Sequence, residues 1–587
     1  MDLAAFAGRT VSFALETRGE NGTPAPAGAA WGAPAITGPG PARLIVLYLV
    51  DTLRPDHTGP YGYARKTTPQ LDAFARDSAV FEQAIAPSSW TKPSVASVLT
   101  GLLPSQHGAM LRSDALAARH STLAERLSAG GWSTGAVVAN PVVHLAGGGF
   151  DQGFDYFAGL LGRQKRAHAQ IRAGAVVDAA LTWIDSRRGL PSFLFAHTMD
   201  PHFPYAPPAP FDRLFAGADG GRQAGESGEA SERERREAIA GYDGEIAYGD
   251  QEFGRFLREL RRRGLYDRAT IVYVSDHGEE FLEQGGWRHG SSLFDELVRV
   301  PLLVKFADGR GAGSRVASQV QLIDLARTVL EEAGLPTPPA LGGRSLRSVV
   351  EGKAPPADTA LLELAHRGTV LVGSRTATEK YVRCFRPQDD SLRFDLSRDP
   401  GELAPLPPAG PEKQRVLDAQ IEALLHPSPF RHVLRVQAVG HVELALEGSC
   451  HFEELESLGL GPTERSALED GGRRLELRLE PRPGRSREVS FRVRPAGAPV
   501  RLSGKWNGRS LGPGDVAGAV TLSAAGPIVL TDPEAEPDPA IGSSFFVRPD
   551  RPRAAITVWL QPAGDSQPAA VGTEALEALR ALGYAGK

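Results

Sequence analysis

An α/β fold with a doubly wound, mostly parallel sheet is predicted for most of the chain, followed by a β-rich accessory region. Three observations carry that prediction. Leu44-Ile45-Val46-Leu47-Tyr48-Leu49-Val50 is an unbroken apolar run, the pattern of a strand buried on both faces. Similar runs recur at 133–139, 192–196, 270–274 and 301–306. Helical patterns separate them at 69–77, 93–99, 122–129, 167–187, 232–263 and 322–333. After about residue 355 this alternation fades. Short β-like runs between turn residues take over at 369–372, 393–396, 432–439, 474–479, 488–493 and 555–560.

The 587 residues exceed one ordinary domain. Residues 9–17 alternate like a strand and run into a Gly/Pro/Ala-rich stretch. One strand cannot stand alone. Residues 1–40 are therefore expected to be a partial β segment, either the remnant of an upstream carbohydrate-binding-like β-sandwich or a strand packed on the main domain. Residues 41–430 are the expected catalytic domain. Residues 431–587 are the expected β-rich domain, ending in a short amphipathic helix at 573–584. The Gly-, Glu- and Ser-rich stretch 217–231 reads as a surface insertion.

Composition narrows the function. A net charge of −5 and a pI near 6.3 give no basic surface for nucleic acid or for an anionic membrane. The longest apolar run falls far short of the roughly 20 residues a membrane helix needs. Met1-Asp2-Leu3-Ala4-Ala5-Phe6 carries no basic or apolar signal region, so no signal peptide is expected in this chain and localisation stays open. Cys384 and Cys450 make neither a ligand spacing nor a disulfide framework, and are expected as two thiols.

In a doubly wound sheet, sites lie beyond the carboxyl ends of strands. The first strand ends on Asp51-Thr52. The strand at 192–196 runs into His197, Asp200 and His202, and that at 270–274 ends on Asp276-His277-Gly278-Glu279. A lone Asp after a strand is usually a turn or capping residue. Three strand ends bringing carboxylate and imidazole to one edge point instead to a metal site. Trp90-Thr91-Lys92-Pro93-Ser94 adds a hydroxyl. Pro93 suits the first turn of a helix, which places Thr91 at or just before its N-terminus, where negative charge is favoured. Alone, Thr91 reads as a helix cap. Next to a cation it is a nucleophile for an ester.

Together these stretches resemble the sulfatase-like branch of the alkaline phosphatase superfamily. The resemblance rests on Val50-Asp51-Thr52-Leu53-Arg54-Pro55-Asp56-His57, Thr91-Lys92-Pro93-Ser94 through Gly101, and Asp151-Gln152-Gly153-Phe154-Asp155. It continues in Asp200-Pro201-His202, Tyr242-Asp243-Gly244-Glu245, Ser275-Asp276-His277-Gly278-Glu279 and His289-Gly290 through Pro301. It covers about residues 42–400. It implies Asp51, Asp276 and His277 as ligands of one divalent metal, with Thr91 as fourth ligand and nucleophile. Zn or Mn suits such ligands better than Ca. Two metals, drawing on Asp200, His202 and His289, are the alternative. His202 and His289 fall where the family places groups that contact substrate or protonate the leaving group. Asn140 stands where many sulfatases carry a Lys, and Lys92 is a further candidate for holding a substrate oxygen.

Formylglycine sulfatases carry Cys or Ser at the nucleophile position and Arg after Pro-Ser. Here those places hold Thr91 and Val95, and Thr52 replaces a second strand-end Asp. The chain is in this respect more similar to lipoteichoic acid synthases, phosphoethanolamine transferases and phosphodiesterases, which use Thr. The expected activity is metal-dependent hydrolysis or transfer of a phosphodiester- or phosphonate-type ester through Thr91, without formylglycine, on a small-molecule, lipid or glycan substrate. Sulfate-ester hydrolysis with threonine and a non-catalytic carbohydrate-binding or scaffold role are the alternatives.

Overall fold

In the computed structural model, the described residues are 43–562 apart from 111–113, 145–147, 161–170, 216–230, 339–340, 355–358, 367–368, 387–389, 411, 413–429, 449, 459, 462, 483–486, 495–499, 519, 522–527 and 531–554. The strand predicted at 9–17, nearly all of the insertion at 217–231, and the helix at 573–584 lie outside them.

The main sheet contains, in chain order, β1 (Leu44–Val50), β2 (Ala79–Ile85), β3 (Ser133–Val138), β4 (Tyr156–Gly159), β5 (Ser192–Thr198) and β6 (Ala269–Ser275). A separate two-stranded ribbon follows, β7 (Glu280–Phe281) and β8 (Trp287–Arg288). The main sheet then gains β9 (Arg299–Lys305), β10 (Arg315–Val316) and β11 (Val320–Gln321). The spatial order is β10-β2-β9-β6-β1-β5-β3-β4, with β11 also beside β2. β1 runs parallel to both β5 and β6, while β9 runs antiparallel to β6 and β2.

The apolar run of β1 follows from this position. Ile45, Leu47 and Leu49 pack into one core with Val95 and Val98 of the helix Thr91–Thr100 and Leu325 and Val329 of the helix Asp324–Ala333. Leu44, Val46 and Tyr48 pack into a second core with Val176 and Val177 of the helix Ala173–Ser186 and Phe253 and Phe256 of the helix Glu232–Arg262. Helices cover both faces, so no position along β1 is left for a polar residue.

Two local expectations shift. The helix predicted at 93–99 begins at Thr91, with Trp90 extended at the N-cap (φ −155, ψ 163) and Pro93 as its third residue. The first-turn N–H groups of a helix have no intrahelical partner, so proline there breaks no helix bond. β2 was not predicted, because Glu82 and Gln83 interrupt its apolar pattern where that strand is only half-buried.

Next comes an antiparallel sheet in the order β12 (Ala360–His366), β13 (Thr369–Arg375), β14 (Glu379–Arg386), β15 (Asp390–Asp395). From Phe430 to Pro562 two further sheets pack on one core, with Leu434 and Phe491 from one and Leu444 and Leu477 from the other. The α/β architecture and the sheet-rich C-terminal region are both as predicted. Cys384 and Cys450 form no disulfide. No helix among the described residues is long and apolar enough to cross a membrane.

Candidate active site

β5, β1 and β6 lie side by side with Thr198, Val50 and Ser275 in register, so the residues at their carboxyl ends share one edge. Thr52 turns the chain there with φ 56, a left-handed conformation unusual for a β-branched residue. Its N–H donates to Asp276 Oδ1 at 3.3 Å, and the Leu53 N–H donates to Ser275 Oγ at 2.8 Å. These bonds tie the end of β1 to the end of β6. The helix Thr91–Thr100 presents its first residue to the same place. Asp51, Thr91, Asn140, His197, His202, Asp276 and His277 are all 0 % exposed.

The distances converge on one point. His277 Nε2 lies 3.2 Å from Thr91 Oγ1, 3.6 Å from Asp276 Oδ2 and 3.8 Å from Asp51 Oδ1. Asp51 Oδ1 and Asp276 Oδ2 have no hydrogen-bond partner among the described residues. The other oxygen of each is occupied. Asp51 Oδ2 accepts from Asn140 Nδ2 at 2.5 Å and faces His197 Nε2 at 3.2 Å, and Asp276 Oδ1 accepts the His277 N–H at 3.0 Å. His277 Nδ1 faces Gly278 O at 2.9 Å, which assigns the ring proton to Nδ1 and leaves Nε2 as an electron-pair donor.

This donor set fits a divalent cation. Ligands about 2.1 Å from a tetrahedral ion lie about 3.4 Å from one another, close to the His277 Nε2 separations. Burial pushes Asp276 above the usual carboxylate range, and the charge of Asp51 pushes it further. Burial also opposes the charge on Asp51, but the hydrogen bond to His197 leads the effects that hold it low. Asp51, His197 and Asp276 also bring one ligand atom each within 4.8 Å of one another. Because His197 Nε2 already faces the oxygen of Asp51 that Asn140 occupies, His277 is the better-placed imidazole.

The remaining sequence candidates sort by distance. The rings of His277 and His289 lie 4.6 Å apart, and those of His289 and His202 5.0 Å apart. Asn140 Nδ2 is 3.5 Å from Thr91 Oγ1. Lys92 is buried and its Nζ donates to Asp114 O at 2.7 Å. Asp200 faces elsewhere. Its Oδ1 lies 3.1 Å from Arg172 Nη1 and its Oδ2 accepts the Ala173 N–H at 2.7 Å, so it caps the helix Ala173–Ser186 and is not poised for a second metal.

Two residues were given no role from sequence. His197 holds Asp51, and its signal was an imidazole ending the otherwise apolar Phe193-Leu194-Phe195-Ala196. Glu279 Oε1 lies 2.8 Å from His289 Nδ1. Burial raises the Glu279 pKa.

The sequence model of the family described as "Sulfatase" matches residues 43–335. The chain belongs to the sulfatase family. A second model, "N-sulphoglucosamine sulphohydrolase, C-terminal", matches residues 284–425 of this sulfatase-family hydrolase. The "Ulvan-active sulfatase" of Formosa agariphila is 24% identical over 61% of this chain and 75% of its own length. The "Arylsulfatase" of Clostridium perfringens is 24% identical over 63% of this chain and 92% of its own. The crystal structure of the phosphonate monoester hydrolase of Agrobacterium radiobacter superposes with a TM-score of 0.56 at 22% identity, covering 66% of this chain and 95% of that one. That likeness is one of fold, the alkaline phosphatase-like sulfatase fold.

Proposed function

We propose that this sulfatase-family chain cleaves or transfers a phosphodiester- or phosphonate-type ester with Thr91 as nucleophile. The observation that carries the reading is the Thr91 hydroxyl 3.2 Å from His277 Nε2, beside the two unpartnered carboxylate oxygens of Asp51 and Asp276. Asp51, Asp276 and His277 would hold a divalent cation, with Thr91 as fourth ligand. Zn or Mn fits these ligands better than Ca. When bound, it supplies positive charge that favours ionisation of the hydroxyl and offsets the charge on the ester oxygens.

The chain's own groups do the rest. Thr91 opens a ten-residue helix, so first-turn N–H groups and the helix dipole face the developing charge. Asn140 fixes Asp51 and reaches toward Thr91 Oγ1. The Thr91 oxygen forms a bond to phosphorus while the bond to the leaving oxygen breaks, and that oxygen takes a proton. His289 is assigned as the acid, its ring held by Glu279 Oε1 at 2.8 Å from Nδ1. Burial pushes His202 down to about 4 and its Nδ1 faces Phe203 O, so at neutral pH its Nε2 can accept a hydrogen bond from substrate but supplies no proton. Water or an acceptor alcohol then releases the phosphoryl group from Thr91. Lys92 remains the weaker candidate for a substrate oxygen, because its buried Nζ donates to Asp114 O.

Sulfate-ester hydrolysis is the second reading, favoured by the names of the two sequence relatives. One preparation assayed on 4-nitrophenyl sulfate, bis(4-nitrophenyl) phosphate and a 4-nitrophenyl phosphonate monoester separates them. Phosphoryl turnover should dominate, and T91A should lower it by about 1,000-fold or more. Dominant sulfate turnover would replace the first reading, and a T91A variant of undiminished activity would remove the nucleophile. Mass analysis of the peptide holding residue 91 should find unmodified threonine.

A further inference from the structure

The residue before His289 has no part in the reaction above, yet its surroundings are unusual. Arg288 ends β8 with φ 71, a backbone conformation that a long side chain adopts only where the surroundings impose it. The ribbon imposes it here. The Leu282 N–H donates to Gly286 O at 2.9 Å and the Gly286 N–H donates to Glu280 Oε1 at 3.0 Å, so the turn that delivers Arg288 is fixed. The guanidinium carbon lies 3.6 Å from the centre of the Phe203 ring, over its apolar face. Its Nε and Nη2 are shielded from solvent and have no hydrogen-bond partner among the described residues.

Other arginines around this edge differ. Arg54 pairs with Asp56 at 2.8 Å and Glu283 at 2.7 Å, and Arg172 with Asp200 at 3.1 Å and Glu245 at 2.6 Å. A guanidinium whose Nε and Nη2 are shielded and unmatched carries a binding capacity that the fold does not use. Its place says what would use it. The chain of contacts runs from Thr91 to His277, then to the His289 and His202 rings, then to Phe203 and Arg288. Arg288 therefore lies on the His289 and His202 side of the site. Its charge also reaches Glu279 and Tyr205 on that side.

We propose that Arg288 is a specificity residue that binds a second negatively charged group, an oxyanion carried on the leaving-group portion of the substrate. This rests on the reading that His289 and His202 face the leaving group. A carboxylate, a phosphate or a sulfate would each match the fork of the guanidinium.

The test uses the full chain and two esters of the scissile group that it turns over best, with 4-carboxyphenyl or 4-(methoxycarbonyl)phenyl as leaving group. The wild type should show a KM about tenfold lower for the carboxylate, R288Q should bring the ratio of the two KM values to about one, and R288K should recover part of it. Calorimetric binding of 4-hydroxybenzoate and of its methyl ester gives an independent readout on wild type, R288Q and T91A. 4-Hydroxybenzoate should bind wild type and T91A alike and R288Q about tenfold more weakly, while the methyl ester should not discriminate among them. A purely structural Arg288 would lower the melting temperature and raise both KM values together. That result, or equal binding of 4-hydroxybenzoate to wild type and R288Q, or none to wild type, overturns the proposal. Failure of Thr91 as nucleophile appears only in the T91A activity, so the two readings fall separately.

Discussion

Lys380 and Asp276 are both fully buried, and the groups around them settle their charges in opposite ways. Lys380 Nζ lies 2.6 Å from Asp295 Oδ1 and 2.9 Å from Glu402 Oε1, and donates to Leu293 O at 3.0 Å. Arg375 Nη2 closes on Asp295 Oδ2 at 2.7 Å. Two cations meet two carboxylates, and despite burial Lys380 and Arg375 hold Asp295 well below the usual carboxylate range. At the strand edge, Asp51 and Asp276 meet imidazoles and amides, and among the described residues no lysine or arginine forms an ion pair with either. There burial and the neighbouring carboxylate push Asp276 up. A buried cluster that neutralises itself holds β14 against the residues following His289. A buried cluster with charge left over is shaped for a cation from outside the chain.

Removing one member from each cluster should therefore act in opposite directions. K380M leaves Asp295 and Glu402 buried with less positive charge, and chemical denaturation should show a loss of about 3–5 kcal/mol. An unchanged midpoint would mean that this cluster contributes no stability. D276N removes one of two repelling carboxylates. In the presence of a chelator its melting temperature should equal or exceed that of wild type. Its metal affinity, titrated with Zn or Mn, should fall by about 100-fold, or roughly 2.7 kcal/mol. A D276N protein that still gained the full metal-dependent rise in melting temperature would remove Asp276 from the ligand set.

The same contrast explains what was legible in the sequence. β1, β5 and β6 announced themselves because both of their faces meet helices, and Asp51, Asp276 and His277 stand out as ionisable residues after apolar strands. Thr91 was legible through Pro93, although the helix starts two residues sooner than predicted. The role of Glu279 was not legible, because its place at a strand end puts it at the site edge without showing that it meets His289. Asp200 sits in the same motif as His202 yet faces Arg172, a difference of direction that spacing does not encode. Arg288 is one more arginine in a chain rich in them until its neighbours are known. The Lys380 cluster joins residues 293, 295, 375, 380 and 402, and no local pattern links those positions.

Glu363 tests the comparison at the smallest scale, because it is a buried carboxylate with one neutral side-chain donor. It lies on β12, is 1 % exposed, and its Oε1 accepts from Ser105 Oγ at 2.9 Å. Its own N–H donates to Pro87 O at 2.8 Å, in the segment that leads to Thr91. Burial raises its pKa from 4.5 to about 8. Between these values the folded chain binds a proton that the unfolded chain has released. Stability should therefore fall as pH rises across that window, by up to about 1.4 kcal/mol per pH unit from this group. E363Q keeps the shape and the acceptor while removing the titration, so its stability should lose that slope and exceed wild type most clearly near pH 8. Asp295 has the opposite sign. Its depressed pKa adds stability above the ordinary carboxylate range that is lost as pH falls, so acid should weaken the Lys380 cluster while it relieves Glu363. Denaturation midpoints of wild type, K380M and E363Q across pH 2 to 8 would resolve the two slopes, that of Asp295 below about pH 4 and that of Glu363 above it. If E363Q kept the wild-type slope, Glu363 would be ionised in the folded chain and some cation would have to lie within its reach.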